Sequence, residues 1–210
     1  LEEKINVKGY AKYDRDISAE MFTSVGQSIF MQSVCTDVFK NSGTCLVKGK
    51  CTTKTMTNLG SATMNMLVAE QVNSSGSLQV KKSVKTKTFQ AKGHVTIKEE
   101  LDAQFIDIVM TSTSHIQKIS GAKEITIGSH VVSYLNFFGM GKKSLRCLRI
   151  EGDVIRLEHT VADLIVGETV YVGKGCHIKE VHYTKDLTIY PGATIGSIHK
   201  KGESENEKNL

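Results

Sequence analysis

The side chains that could do chemistry fall into three groups: seven histidines, five cysteines and a basic glycine loop. His177 and His182 lie five apart. Side chains alternate between faces along a strand, so an odd step sends this pair to opposite sides and away from a common metal ion. His94, His115, His130, His159 and His199 are scattered and read as surface or hydrogen-bonded histidines. The cysteines form no C-x-x-C; Cys45 and Cys51 read as small core residues, and Cys35, Cys147 and Cys176 have no Cys or His partner at ligand spacing, so all five read as buried small hydrophobes. Gly139-Met140-Gly141-Lys142-Lys143-Ser144 contains a Gly-Lys pair. A phosphate loop, however, needs Gly where Asn136 stands and Ser or Thr where Lys143 stands. No paired carboxylates recur at fixed positions to act as acid and base. These residues therefore predict no enzyme, with no catalytic, cofactor or metal site.

Two surfaces point to binding instead. Lys48, Lys50, Lys54, Lys81, Lys82, Lys85 and Lys87 recur at similar offsets, which stacking would align into a basic stripe. The favoured reading is a solvated face. The net charge of +5 is mild, and aromatics that would stack on bases are not interleaved with the lysines, so no nucleic acid is expected. Tyr134, Leu135, Phe137 and Phe138 cluster beside Lys142, Lys143 and Arg146. Aromatics next to basic residues are the pattern of a shallow membrane- or partner-docking loop. The competing reading packs Phe137 and Phe138 onto the body of the protein.

The elements that must carry these residues are set by an internal repeat. Gly occurs at positions 9, 26, 43, 60, 76 and 93, at spacings of 17, 17, 17, 16 and 17. Two residues after the Gly stand Ala11, Ser28, Cys45, Ala62, Leu78 and Val95; four after stand Tyr13, Phe30, Val47, Met64, Val80 and Ile97. Eight after stand Ile17, Val34, Cys51, Val68, Val84 and Leu101. Thirteen after stand Phe22, Phe39, Met56, Phe89 and Ile106, with Val72 in the short fourth unit. Even offsets share one face of a strand, and the odd step from eight to thirteen demands a bend. Three short strands closing after about 17 residues make one coil of a β-helix. Gly9, Gly26, Gly43, Gly60, Gly76 and Gly93 mark one bend, and Phe22, Phe39, Met56, Phe89 and Ile106 form a core ladder.

The expected fold is all-β, a single right-handed parallel β-helix. Regular coils span 1–128, with Ile116, Ile119, Ile125 and Ile127 carrying a last coil that lacks a clear Gly. An aromatic and basic insertion occupies 129–149. Less regular coils fill 150–199, separated by turns at Gly167, Gly173, Gly175, Gly192 and Gly196, and 200–210 forms a disordered tail. Leu1 to Lys8 lack the apolar middle of a signal peptide, and the cysteine usage suits a reducing compartment. Both lead to an expectation of a cytoplasmic protein.

With the repeat laid out, units such as SGTCLVKGKCTTKTMTN, SGSLQVKKSVKTKTFQA and KGHVTIKEELDAQFIDI resemble the bactofilins, the polymer-forming cytoskeletal proteins of bacteria. The resemblance extends through GAKEITIG and IEGDVIRLEHTVADLIVGETVYVGKGCHIKEVHY, covering 5–127 and 150–198. It implies a non-enzymatic scaffold whose main partner is itself, polymerising without nucleotide, with the inner membrane surface or protein clients as further partners. The alternative function is a monomeric binding module. A β-helix acyltransferase or lyase ranks lower, because the coils lack six-residue steps and recurring carboxylate pairs.

Overall fold

The computed structural model describes residues 2–128 and 143–202. They form a parallel β-solenoid of about 11 turns with roughly 17-residue spacing. Its strands are β1 (Glu2–Val7), β2 (Tyr10–Tyr13), β3 (Ile17–Ser24), β4 (Gln27–Phe30), β5 (Val34–Asn41), β6 (Thr44–Asn58), β7 (Ser61–Ser74), β8 (Ser77–Val80), β9 (Val84–Met110), β10 (Ser114–Gly128), β11 (Leu145–Leu157), β12 (Thr160–Val172), β13 (His177–Ile189) and β14 (Thr194–Lys200). Among the described residues no helix is long and apolar enough to cross a membrane.

The coil's shape follows from where the inward alternation breaks. In β3, Ile17 and Ala19 point inward, Glu20 and Met21 both face outward, and Phe22 and Ser24 point inward again. Two successive outward residues are the bend that the odd step required. A second bend at Val25–Gly26–Gln27 leads to inward Ser28 and Phe30. Each coil thus contributes three pairs of inward residues, one pair per side.

Stacking turns equivalent positions into columns. Ile5 pairs with Phe22, Phe22 with Phe39, Phe39 with Met56, Met56 with Val72 and Val72 with Phe89. The same column resumes as Ile106–Ile125–Ile155–Val170–Leu187. The Phe22 and Phe39 rings lie 4.7 Å apart, and Phe30 meets Phe22 edge-on at 5.1 Å. The columns two and four residues after the Gly also hold as expected, from Ala11 to Val95 and from Tyr13 to Ile97.

One inward assignment is corrected. Val68 pairs with Thr52 and is half-buried, whereas Leu67 pairs with Cys51 and is fully buried. The fourth unit omits its residue between Met64 and Leu67, where the register with β6 slips past Val47, so every later side chain in that unit moves up by one. A one-residue slip otherwise reverses the faces of a strand.

The repeat glycines are needed for close approach between coils. A Cβ on Gly26, Gly43, Gly60, Gly76 or Gly93 would sit inside contact distance of the carbonyl oxygen of the glycine one coil earlier. That carbonyl accepts the next coil's amide: Thr44 N donates to Gly26 O at 2.9 Å and Ser61 N to Gly43 O at 2.9 Å. Next to this bend runs a buried polar column, in which Asn41 Nδ2 donates to Asn58 Oδ1 at 2.9 Å and Asn58 Nδ2 to Ser74 Oγ at 3.0 Å. The same amides reach backbone carbonyls of Ser61 and Ser77, so the bend's interior is hydrogen-bonded along the axis.

The second half keeps the coil and changes the corner. His159 (φ 48°), Gly175 (φ 71°) and Gly192 (φ 85°) occupy successive turns in the left-handed region, and Gly175 N donates to Gly192 O at 2.8 Å. Gly167 and Gly196, expected at turns, lie inside β12 and β14. Gly167 stacks on Gly152, at a level occupied earlier by Thr53 and Thr86. The expected insertion at 129–149 also ends sooner: Leu145–Arg149 belong to β11. Leu145, Cys147 and Ile150 are inward, with Leu148 and Arg149 as the two outward corner residues. That is the pattern of Ile17–Phe22, disguised because no glycine marks the coil. Lys200, assigned to the tail, closes β14, and Lys201 N still donates to Tyr183 O at 2.8 Å; the rest of the expected tail from 203 lies outside the described residues.

Phe39→Ala should cost about 3–5 kcal/mol, because the ladder holds the surrounding backbone open and the cavity cannot collapse. Gly43→Ala adds only a methyl group yet should lower the midpoint of urea unfolding clearly. Thr52→Ala, at an outward, half-buried position, is the control and should stay within about 0.5 kcal/mol.

Candidate functional site at the faces and ends of the solenoid

Three of the seven lysines expected in the stripe, Lys54, Lys85 and Lys87, face an acid one coil away. Lys54 Nζ lies 2.9 Å from Asp37, and Lys87 Nζ lies 3.4 Å from Glu70, which is one coil above Lys54. Lys85 pairs with Asp102 at 3.3 Å. Further along, Lys118 bridges to Glu100 at 2.9 Å, Lys179 to Asp163 at 2.8 Å and Lys185 to Glu168 at 2.6 Å. A hydrogen bond from Ser120 and the nearby Lys118 hold the Glu100 carboxyl below its ordinary range. A strand period of two and a coil of 17 place opposite charges over one another, which favours correct register more than it adds stability, since exposed pairs contribute little.

Of the expected docking loop, Tyr134, Leu135, Phe137, Phe138 and Lys142 lie outside the described residues. Lys143 stands half-buried just before β11. Arg146 is exposed on β11, paired in register with His115 below and Val161 above. It is therefore an outward residue of an ordinary coil rather than part of a loop. Where the chain leaves β10, a cleft of about 680 Å³ opens among Arg156, Leu157, Tyr171, Lys174, Tyr190 and Pro191. Arg156 lies 5.2 Å over the Tyr171 ring and pairs with Glu124.

Four cysteines are core residues as expected, but Cys35 is exposed. It shares the outward column of Ser18 and Thr52, one residue past inward Val34. Burial pushes the Cys45 and Cys176 thiols up to about 11 and Cys147 to about 12, and raises Cys51 further still. None of these four is poised as a thiolate nucleophile.

The two ends of the described solenoid differ. At the first coil, inward Ile5, Val7 and Ile17 are buried at 7%, 5% and 5% exposure, while inward Ala11 and Tyr13 are half-buried. At the last, Ile189 and Ile198 are 45% and 46% exposed, although their registers with Val172 and Val181 put them in the inward columns. β14 covers β13 only from His177 to Tyr183. Among the described residues, no strand pairs above Asp186–Ile189.

The outward face near this end holds a constellation that the strand-alternation argument missed. Glu180 and His182 are two apart on β13, and His199 on β14 is register-paired with His182. His182 Nε2 lies 2.5 Å from Glu180 Oε1, and His199 Nε2 lies 3.5 Å from the same oxygen. The imidazoles meet edge-on at 5.0 Å. The five-residue step from His177 to His182 does separate that pair. The informative spacing was the 17 residues from His182 to His199, one full coil.

No family model matches the chain, and no solved structure matches it. Two proteins of Bacillus subtilis (strain 168), both uncharacterised, are similar to parts of it. YhbE is 44% identical over 46 residues, covering 22% of this chain and 19% of its own length. YhbF is 34% identical over 82 residues, covering 39% of this chain and 33% of its own. The chain thus spans a third or less of each relative.

With a disulfide-exchange reagent in native buffer, Cys35 should react rapidly and the other four thiols only after denaturation. Cys35→Ser should remove the fast phase; a fast phase surviving that change would show that a core coil opens locally.

Proposed function

We propose that this chain is a non-enzymatic structural scaffold of the bactofilin-like kind, which associates with its own copies through the ends of its solenoid. The observation that carries this reading is the exposure of Ile189 and Ile198 at inward positions of the last coil. Every other coil covers those positions with a neighbour. An uncovered edge strand with an apolar inner side is a template for another chain's strands. Contacts that repeat without closing into a ring generate a filament.

Magnitudes bound the strength of the contact. Covering two isoleucines returns at most roughly 3–6 kcal/mol, at about 1.5–3 each. Micromolar association needs about 8 kcal/mol. Edge hydrogen bonds must supply the remainder, so assembly should depend on concentration and on a correctly formed terminal edge. The charge ladders fit the same reading, because a partner's coil would continue an alternating column and be penalised if it docked out of register.

Sedimentation velocity from about 1 to 100 µM, a range that rises from micromolar affinity, with negative-stain microscopy, tests the proposal. The wild type should form larger species with rising concentration. Ile189→Lys/Ile198→Lys should return it to monomer with an unchanged far-UV spectrum. A wild type that stays monomeric throughout overturns the reading and favours a monomeric binding module.

A further inference from the structure

We propose that Glu180, His182 and His199 form a binding site for a zinc-class divalent metal ion that clasps the last strand of the solenoid to the one before it. One ligand atom from each residue falls within 4.8 Å of the other two. Two neutral imidazoles and one carboxylate are a donor set suited to zinc and its neighbours, which take His nitrogen and carboxylate oxygen in tetrahedral geometry at about 2.0–2.2 Å. Such bonds put ligand atoms about 3.3 Å apart. The distance of 3.5 Å from His199 Nε2 to Glu180 Oε1 already fits. The distance of 2.5 Å from His182 Nε2 has to open by less than an ångström, which rotation of the Glu180 side chain supplies.

The surroundings favour a cation over a plain ion pair. The ion pairs of Glu180 run to the two imidazoles, whereas the neighbouring bases are engaged elsewhere: Lys179 with Asp163 at 2.8 Å and Lys200 over the Tyr183 ring at 5.9 Å. Beneath the cluster, Leu164 and Val166 occupy the same columns as Glu180 and His182, so it has an apolar floor. Its side chains are 41%, 22% and 55% exposed for Glu180, His182 and His199. That leaves a route in from solvent and a fourth coordination position for water. Because the ligands come from β13 and β14, a bound ion would link two coils side chain to side chain where backbone pairing ends. The site does not depend on self-association.

The test uses the tag-free full chain, stripped with chelator and titrated calorimetrically with zinc chloride. Cobalt absorption spectra report the geometry of the site. The wild type should bind one zinc per chain with saturation and give tetrahedral cobalt bands. His182→Gln and His199→Gln should each weaken zinc binding about tenfold or more, while His177→Gln, five residues away on β13, should leave it unchanged. Circular dichroism checks that each variant is folded. Absence of saturable zinc binding by the wild type overturns the proposal. So does binding that persists in the folded double variant His182→Gln/His199→Gln.

Discussion

The structure depends on parallel backbone pairing between one coil and the next. Strands hydrogen-bonded in this way lie about 4.8 Å apart, and that spacing is imposed on everything attached to them. Side chains one coil apart must tolerate direct stacking, which is why the inward columns hold Phe over Phe, Ile over Ile and Cys over Ser. It is also why the corner beside β4 and β6 takes glycine, since a Cβ there would meet a carbonyl already engaged by the next coil's amide.

Polar groups obey the same spacing. Inside the corner, Asn41, Asn58 and Ser74 pass hydrogen bonds along the axis rather than across it. On the outer face, Asp37, Lys54, Glu70 and Lys87 alternate in sign along one column. Neither arrangement contributes much energy per contact. Both penalise a shift of register, since sliding by one coil would set like charges or like donors against each other. A solenoid built of similar units needs such marks, because its apolar columns alone would accept neighbouring registers almost equally.

The surfaces proposed for function are consequences of the stack rather than of a pocket. Where pairing stops among the described residues, the β13–β14 side leaves inward Ile189 and Ile198 exposed, while the first coil leaves inward Ala11 and Tyr13 half-buried. The Glu180–His182–His199 cluster lies on the outer face of the same coils, so the proposed assembly and the proposed metal site bear on β14 by separate means.

The amino-acid pattern alone determined the coil length, the inward positions of the first six units apart from Val68, and the column from Phe22 through Met56, because period-two alternation and a 17-residue repeat leave few ways to bury those side chains. It missed wherever the marker changed while the geometry did not. Leu145–Ile150 looked like an insertion because no glycine announced the coil, and Val68 displaced Leu67 because the place of the omitted residue within the short fourth unit is invisible until strands are paired. Tertiary structure decided the rest: which lysines face an acid, and that His182 meets His199. Those are relations between residues about 17 apart in sequence, and the physical reason they escaped is that neighbours across a coil boundary are fixed by pairing register, which side-chain alternation within one strand does not report.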